Sequence, residues 1–373
     1  MTLTDYRTLG RSGLVVSPLA LGTMTFGVDR WGIEREEAAA VVDAYVEAGG
    51  NLVDTADVYA GGRGEEMLGD IIKERGLRDR LVIATKSGFS AGRDIAAGGN
   101  SARHVRAAVE GSLRRLGTDY VDLYWIHVWD GVTPAEELLE TMSSLIRTGK
   151  ILYWGISNTP AWYVARLVTL ASERGMPGPI ALQYWYSLVS RDVEAEHLPL
   201  AREVGLGMMP WSPLAYGLLT GRYHRASVEA RGPLQAGLPD SPATGGERDG
   251  DEKRLDGANP FGDTLFTDRN WGIVDAVKKV AAELGVPPAR VALAWVVSRP
   301  GVDTTLIGVS KVSQVHDNIA ALGFHLGREH LAALDEASRP APSISDLSAP
   351  YMRRQVIFGG HSVAARGERG IAP

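Results

Sequence analysis

From residue 19 onward, short aliphatic runs alternate with longer stretches of helical periodicity. Leu19–Gly22, Asn51–Asp54, Leu81–Lys86, Val121–His127, Ile151–Asn158, Ile180–Gln183, Gly207–Trp211 and Thr304–Gly308 read as eight strands. The segments between them carry helix signals. Glu34–Ala48 has acidic residues in its first turn and Gly49-Gly50 at its end, and Ser101–Leu116 stops at Gly117. Thr133 as N-cap with Pro134 at the first helical position opens a helix that continues to Arg147. This alternation predicts an α/β chain closed into a (β/α)8 TIM barrel over about residues 18–335. An open doubly wound sheet is the alternative, and no G-x-G-x-x-G fingerprint supports it.

Two pieces fall outside the repeat. Tyr6–Leu9 and Leu14–Ser17 flank Gly10-Arg-Ser-Gly13 as an N-terminal β-hairpin suited to plugging the barrel floor. The stretch 222–270, after the seventh strand, is rich in Gly, Pro, Asp and Arg and too long for an ordinary connection, which predicts a lid or a disordered insertion. The tail 340–373 has no clear period, although Tyr351 and Phe358 suggest that parts of it dock. The whole, 1–373, is expected to be a single barrel domain.

Composition narrows the function. Of 373 residues, 45% are apolar and 23% charged, the usage of a globular protein with chain enough for a sizeable core. The formal charge of −6 gives no bulk attraction for nucleic acid or anionic lipid. The absence of cysteine removes disulfides, thiolate catalysis and zinc–thiolate sites. No basic stretch followed by an apolar run marks the N-terminus, and the longest uncharged stretch, 204–221, contains Pro210, Pro213 and four glycines. A cytoplasmic protein without a membrane span is expected, and no metal-ligand cluster is evident.

In a (β/α)8 enzyme the chemistry sits at the C-terminal ends of the strands. Here the second, third and fourth runs end in Asp54, Lys86 and His127, the next two in Ser157-Asn158 and Gln183, and Tyr59 follows Asp54 by five residues. Each alone has an ordinary structural reading: a turn cap, a surface lysine, a satisfied core histidine. Together they converge on one mouth, and Asp122, inside its strand, reads as structural. Asp54, Tyr59, Lys86 and His127 suit reduction of a carbonyl. An ammonium stabilises phenolate and makes the phenol a better acid, a carboxylate holds the ammonium charged, and an imidazole polarises the carbonyl oxygen. No side chain supplies hydride, so a cofactor must. Trp211 offers a ring face, Gln183 and Asn158 offer amides, and the segment Gly308–Asn318 opens a helix whose N–H groups suit a phosphate. Ordinary core packing for Trp211 and a solvated helix start at Gly308 stay open as alternatives.

The ordered set Asp54-Thr-Ala-Asp-Val-Tyr59, Gly64-Glu65-Glu-Met-Leu-Gly69, Lys86, Asp119–His127, Gly155-Ile-Ser-Asn158, Trp211–Tyr223 and Gly308–Asn318 resembles the aldo-keto reductase superfamily from about Tyr6 to Leu334, including the branch with potassium-channel β subunits. The resemblance implies a (β/α)8 barrel, NADPH/NADP+ bound without a Rossmann motif, a catalytic tetrad at Asp54, Tyr59, Lys86 and His127, and hydride delivery to an aldehyde or ketone. It also implies cofactor contacts. Gly22, Thr23 and Met24 would line the cofactor, Ser157, Asn158 and Gln183 would hold the carboxamide, and Trp211 would stack on nicotinamide. Ser212, Leu214 and Gly217 would reach the pyrophosphate, while Ser310, Lys311, Gln314, Asp317 and Asn318 would surround the adenosine end. Arg222 and Arg231 are candidates for the 2′-phosphate, which favours NADPH over NADH. Ser187 stands where related sequences commonly have asparagine. Met24, Phe26, Trp31, Tyr59 and Trp129 form the expected substrate pocket, roomy enough for an aromatic aldehyde, a polyketide-like ketone or a keto-sugar. Two other classes compete: an NADPH-binding redox-sensing subunit with little turnover, and a barrel acting on sugar phosphates without nicotinamide.

Overall fold

A strand buried on both faces sends alternate side chains inward and outward, and a closed barrel turns that alternation into two concentric apolar layers. The computed structural model describes residues 1–29, 31–92, 94–231, 255, 263–341 and 352–363, with the Arg231 side chain excepted. Most of the 222–270 stretch and Tyr351 therefore lie outside the described residues. A two-stranded hairpin, β1 (Arg7–Thr8) and β2 (Val15–Val16), precedes eight parallel strands. These are β3 (Leu19–Gly22), β4 (Leu52–Asp54), β5 (Val82–Ser87), β6 (Val121–Ile126), β7 (Ile151–Ser157), β8 (Ala181–Gln183), β9 (Gly207–Met208) and β10 (Thr305–Gly308). The hydrogen-bonded order is β10-β3-β4-β5-β6-β7-β8-β9. The ring closes because Asp303 N–H donates to Met208 O at 3.0 Å and Leu306 N–H to Pro210 O at 2.9 Å. This is the expected (β/α)8 barrel.

The helices lie outside the strands: α1 (Arg35–Glu47), α2 (Arg63–Arg75), α3 (Ala102–Leu116), α4 (Ala135–Arg147), α5 (Ala161–Arg174), α6 (His197–Val204), α7 (Arg225–Arg231), α8 (Asp268–Leu284), α9 (Pro288–Val297), α10 (Val312–Ile319) and α11 (Arg328–Ala337). Several expected ends move by one residue, and two boundaries shift for a visible reason. α4 starts at Ala135 with Pro134 as its cap, because the Thr133 hydroxyl donates to Asp130 Oδ2 at 2.6 Å instead of capping the helix. β9 ends at Met208, since Pro210 has no N–H with which to continue the ladder. Among the described residues, no single helix is long and apolar enough to cross a membrane.

Ala20, Leu52, Ala84, Leu123, Trp125, Ala181 and Met209 form the inner layer. Leu19, Leu21, Val53, Ile83, Tyr124, Ile126, Ile156 and Leu182 belong to the outer layer beneath the helices. Gly155 is glycine because a Cβ there would collide with the inward Trp125 ring. Leu9, Leu14 and Val16 join the inner cluster, so the hairpin seals the floor as expected. It is pinned by Gly10 N–H donating to Asp303 Oδ2 at 2.9 Å, where Gly10 takes a left-handed φ of 58°. The barrel belongs to a body spanning Met1–Ser338; the second unit, Arg339–Pro373, holds a single π-type turn at Arg353–Ile357 among its described residues.

Leu9 is fully shielded at the centre of the inner cluster. Leu9→Ala should therefore lower unfolding free energy by about 2–5 kcal/mol in urea melts, the usual cost of an unfilled core cavity. A change near zero would show that the hairpin does not seal the barrel.

Candidate active site

The inward phase of each strand continues past its apolar part. On β4, Leu52 points in, Val53 out and Asp54 in; on β5, Ala84 is in, Thr85 out and Lys86 in; on β6, Trp125 is in, Ile126 out and His127 in. Gly22, Ser157 and Gln183 share that phase on β3, β7 and β8. The three ionisable groups therefore meet at the C-terminal mouth. Asp122, in the outward phase of β6, accepts Ile83 N–H at 2.9 Å and pairs with Arg78 at 3.0 Å, as a structural residue would.

Lys86 and Asp54 are both fully shielded and in direct contact, Nζ to Oδ2. Lys86 also donates to Thr55 O at 2.7 Å and to the Tyr59 hydroxyl oxygen at 3.4 Å, and its Nζ lies 5.0 Å from the Tyr59 ring centre. The other Asp54 oxygen accepts Gln183 Nε2 at 3.1 Å. The His127 ring stands edge-on to Tyr59, with centroids 6.1 Å apart, and its Nδ1 is buried without a protein partner.

Burial works against both charges of the pair. It pushes the Asp54 carboxyl up against the opposing pull of Lys86, and it would depress Lys86, whose ammonium the neighbouring Asp54 and Tyr59 nonetheless hold above its ordinary value. His127 is driven well below the usual imidazole range, first by burial and then by Lys86. It is neutral at physiological pH and keeps one donor and one acceptor nitrogen.

The candidate cofactor residues form a second arc of the mouth. Thr23 N–H donates to Asp54 O at 2.9 Å, and Gly22 pairs in register with Asp54 and Gly308. The Ser157 hydroxyl donates to Gln183 O at 2.7 Å. Asn158 donates to His127 O at 2.9 Å and accepts Trp211 Nε1 at 3.3 Å. Trp211 is half-buried, with one ring face stacked on Trp185 at 5.5 Å. Five non-glycine residues have left-handed φ among the described residues: Ala60, Asn158, Ser212, Ala215 and Tyr216. All five lie on loops leaving the C-terminal ends of β4, β7 and β9, and such strain concentrates where function demands a particular backbone. Leu214 and Gly217 lie in the same turn. Across the mouth, Lys311 caps α10, Ser310 N–H donates to Gln314 Oε1 at 2.8 Å, Asn318 is buried, and Lys311 and Asp317 are exposed. Arg222 is exposed, and the side chain of Arg231 falls outside the described residues.

The expected substrate pocket is rearranged. Met24 and Trp31 are half-buried near the mouth. Phe26 is fully buried in the outer layer, where it packs the β3–α1 loop and offers no open surface. Trp129 turns its ring onto Trp162 at 5.6 Å and Tyr163 at 6.1 Å, lining a separate cleft of about 290 Å³ with Val132, Glu136 and Arg166. Phe89 was missed. It is 43% exposed and meets the His127 ring edge-on at 4.5 Å. Its place three residues past Lys86 is the signal that could have found it.

Residues 18–339 match the Aldo/keto reductase family. A probable voltage-gated potassium channel subunit beta of Oryza sativa subsp. japonica is 37% identical over 85% of this chain and 91% of its own. The uncharacterized oxidoreductase YrpG of Bacillus subtilis is 34% identical over 89% and 95%, and norsolorinic acid reductase A of Aspergillus parasiticus 31% over 87% and 79%.

Asp57, two residues before Tyr59 with its N–H donating to Lys86 O at 3.1 Å, was also missed. It is 7% exposed, its Oδ1 has no partner, and burial with Glu65 beside it pushes its carboxyl up to about 7, against Arg115 and Lys86. In the unfolded chain it ionises near 3.8, so between the two values the folded state keeps a proton that the unfolded state has lost. Its contribution to stability is full below about pH 4 and falls as pH rises to about 7. Asp57→Asn abolishes this slope. Its stability relative to wild type should improve between about pH 4 and about pH 8, by at most about 4 kcal/mol, in paired denaturant titrations. Parallel pH dependences in the two proteins would place the titration elsewhere.

Proposed function

The chain belongs to the aldo/keto reductase family, and from that premise we propose that it is an NADPH-dependent oxidoreductase that reduces an aldehyde or ketone to an alcohol. The observation that carries this reading is the contact of Lys86 with both Asp54 and the Tyr59 hydroxyl at the strand ends, beside a neutral His127.

Tyr59 is the general acid that protonates the carbonyl oxygen as it becomes an alcohol. Lys86 lowers the cost of the phenolate left behind, and Asp54 keeps Lys86 charged in a dry site. His127, as a neutral donor, orients the carbonyl oxygen between itself and Tyr59. Bound reduced nicotinamide dinucleotide supplies the hydride. The residues present fit such a group: Trp211 offers its unstacked ring face, Ser157, Asn158 and Gln183 cluster their polar groups beside it, and the left-handed turn from Ser212 to Gly217 holds its backbone open. Gly22, Thr23 and Met24 would border it. The N-terminus of α10 with Ser310, Lys311, Gln314, Asp317 and Asn318 suits the adenosine end, and the exposed Lys311 and Arg222 favour a 2′-phosphate, hence NADPH. The substrate is a small carbonyl compound, held against Phe89, Met24 and Trp31.

The relatives named as potassium channel subunits support a second reading, an NADPH-binding redox-sensing subunit with little turnover. Loss of NADPH absorbance with 4-nitrobenzaldehyde separates the two, since tight binding without turnover would favour the sensor.

Tyr59→Phe should lower kcat by about 10²- to 10⁴-fold, the usual worth of a positioned general acid, with the NADPH dissociation constant unchanged. Near-normal turnover would remove Tyr59 from this role. Phe89→Ala should raise KM for aromatic aldehydes by about 3- to 10-fold, the scale of one lost ring contact, and leave short aliphatic aldehydes untouched. An equal effect on both would mean that Phe89 does not contact substrate.

A further inference from the structure

β5 presents two polar side chains in succession, Lys86 inward and Thr85 outward. The Thr85 hydroxyl donates to Glu65 Oε1 at 2.6 Å, and Glu65 Oε2 accepts Arg115 Nε at 2.7 Å and the terminal Arg115 nitrogen at 2.6 Å. The Glu65 carboxylate is fully shielded, in the first turn of α2 and six residues after Tyr59; Arg115 comes from the last turn of α3. The backbone around this pair is shaped to admit it. A Cβ at Gly62 would come within 2.9 Å of Arg115 Cδ, and one at Gly111 within 3.1 Å of its guanidinium. A Cβ at Gly69 would meet Arg115 O at 2.8 Å, so α2 and α3 touch backbone to backbone where Arg115 leaves its helix.

Between Tyr59 and α2, Ala60, Gly61 and Gly62 all have left-handed φ, at 50°, 67° and 97°. Gly64 leaves room for Tyr59 itself, since a Cβ there would lie 3.3 Å from Tyr59 Cβ. A run of left-handed residues is not locally self-sustaining; the surrounding structure must hold it. An ion pair whose carboxylate is fully shielded, with the guanidinium 27% exposed, is in turn a weak source of stability, because apolar residues of similar size often do as well. Geometry remains as the reason for this pair.

We propose that Glu65 and Arg115 are positioning residues, an ion pair with a buried carboxylate and a half-buried guanidinium, keyed to β5 through Thr85, that fixes the left-handed turn at 60–62 and thereby the approach of the Tyr59 hydroxyl to Lys86. The proposal rests on the reading of Tyr59 as the proton donor, and it adds the device that aims it. Thr85 and Lys86 are adjacent on one rigid strand, so the strand that carries the ammonium also registers the helix that follows the phenol.

The test pairs turnover with a signal that needs none. Glu65→Leu combined with Arg115→Met removes both charges together, avoiding an orphaned buried ion. The variant should unfold cooperatively and bind NADPH with unchanged affinity, yet lose on the order of 100-fold in kcat, the scale of a 1 Å misplacement. In protein labelled with ¹³Cζ-tyrosine, the Tyr59 resonance, assigned by its loss in Tyr59→Phe, should shift. Thr85→Val, which spares the pair and cuts only its tie to β5, should move the same resonance less and provides the measurement if the double variant does not fold. An unmoved Tyr59 resonance with wild-type kcat overturns the proposal, as does a kcat loss matched by equal losses of NADPH affinity and stability. A shifted resonance in a protein whose wild type reduces no aldehyde would uphold the positioning role and overturn the reductase reading.

Discussion

An ammonium and a carboxylate in contact without solvent constrain everything around them. Each ion leaves water at an effective cost of several kcal/mol, and their attraction offsets it only when the remaining hydrogen-bonding capacity is filled. Here the filling is distributed over the mouth. Lys86 reaches Asp54, Thr55 O and the Tyr59 oxygen, and Asp54 is completed by Gln183. Three strand ends, or the loops just beyond them, thus have to agree in register to within a hydrogen bond. A closed parallel barrel delivers that agreement, because its register is fixed on both edges of every strand. The hairpin below and the ring closure through Asp303 and Pro210 are remote from the pair, yet they hold the strands in the phase it needs.

The same constraint explains which parts of the site could be read in advance. Inward phase is a property of sequence: an aliphatic run with period two that ends on Asp54, Lys86 or His127 states where its last side chain points, provided the barrel closes. The hairpin was legible from two short strand-like runs about the turn Gly10-Arg-Ser-Gly13, and Leu9, Leu14 and Val16 then join the inner cluster. The aromatic pocket was not. Phe26, Phe89 and Trp129 sit on loops, where no period fixes direction, so an aromatic near a strand end gave proximity without orientation. Phe26 turned into the packing and Trp129 toward Trp162, while Phe89 stayed over His127. The cap of α4 moved by one residue because Asp130, a residue the pattern leaves unremarked, claims the Thr133 hydroxyl.

Nor does sequence disclose backbone strain. Glycine announces a left-handed position; Asn158, Ser212, Ala215, Tyr216 and Ala60 do not, and these residues shape the arc that faces Trp211 and the turn that carries Tyr59. Their conformations cost of order 1–3 kcal/mol each, and only a surrounding structure that over-determines them can hold them. For Asn158 that structure is visible in its two side-chain bonds, to His127 O and from Trp211. For Ser212 it is the Tyr216 N–H that its hydroxyl accepts at 3.2 Å. Polar side chains at the mouth therefore brace backbone as well as face outward, and substitution at Asn158 is bound to change both at once.

The buried carboxylate also settles the protonation pattern of the mouth. A lysine desolvated by the barrel wall, beside an imidazole and without a counter-ion, would drift toward neutrality and titrate within the physiological range. With Asp54 in contact it stays cationic across that range, and its field works in two directions. The ammonium stands 3.4 Å from the Tyr59 hydroxyl oxygen, and it keeps the His127 imidazole neutral, reinforcing burial. In the proposed reaction, one fixed positive charge serves both neighbours: it favours release of the Tyr59 proton and leaves His127 a neutral ring nitrogen that can hold the acceptor oxygen without competing for the charge. The asymmetry follows from where each neighbour stands relative to Lys86. It depends on Lys86 reaching Tyr59 and Asp54 at the same time, which returns the chemistry to the register of two adjacent strands.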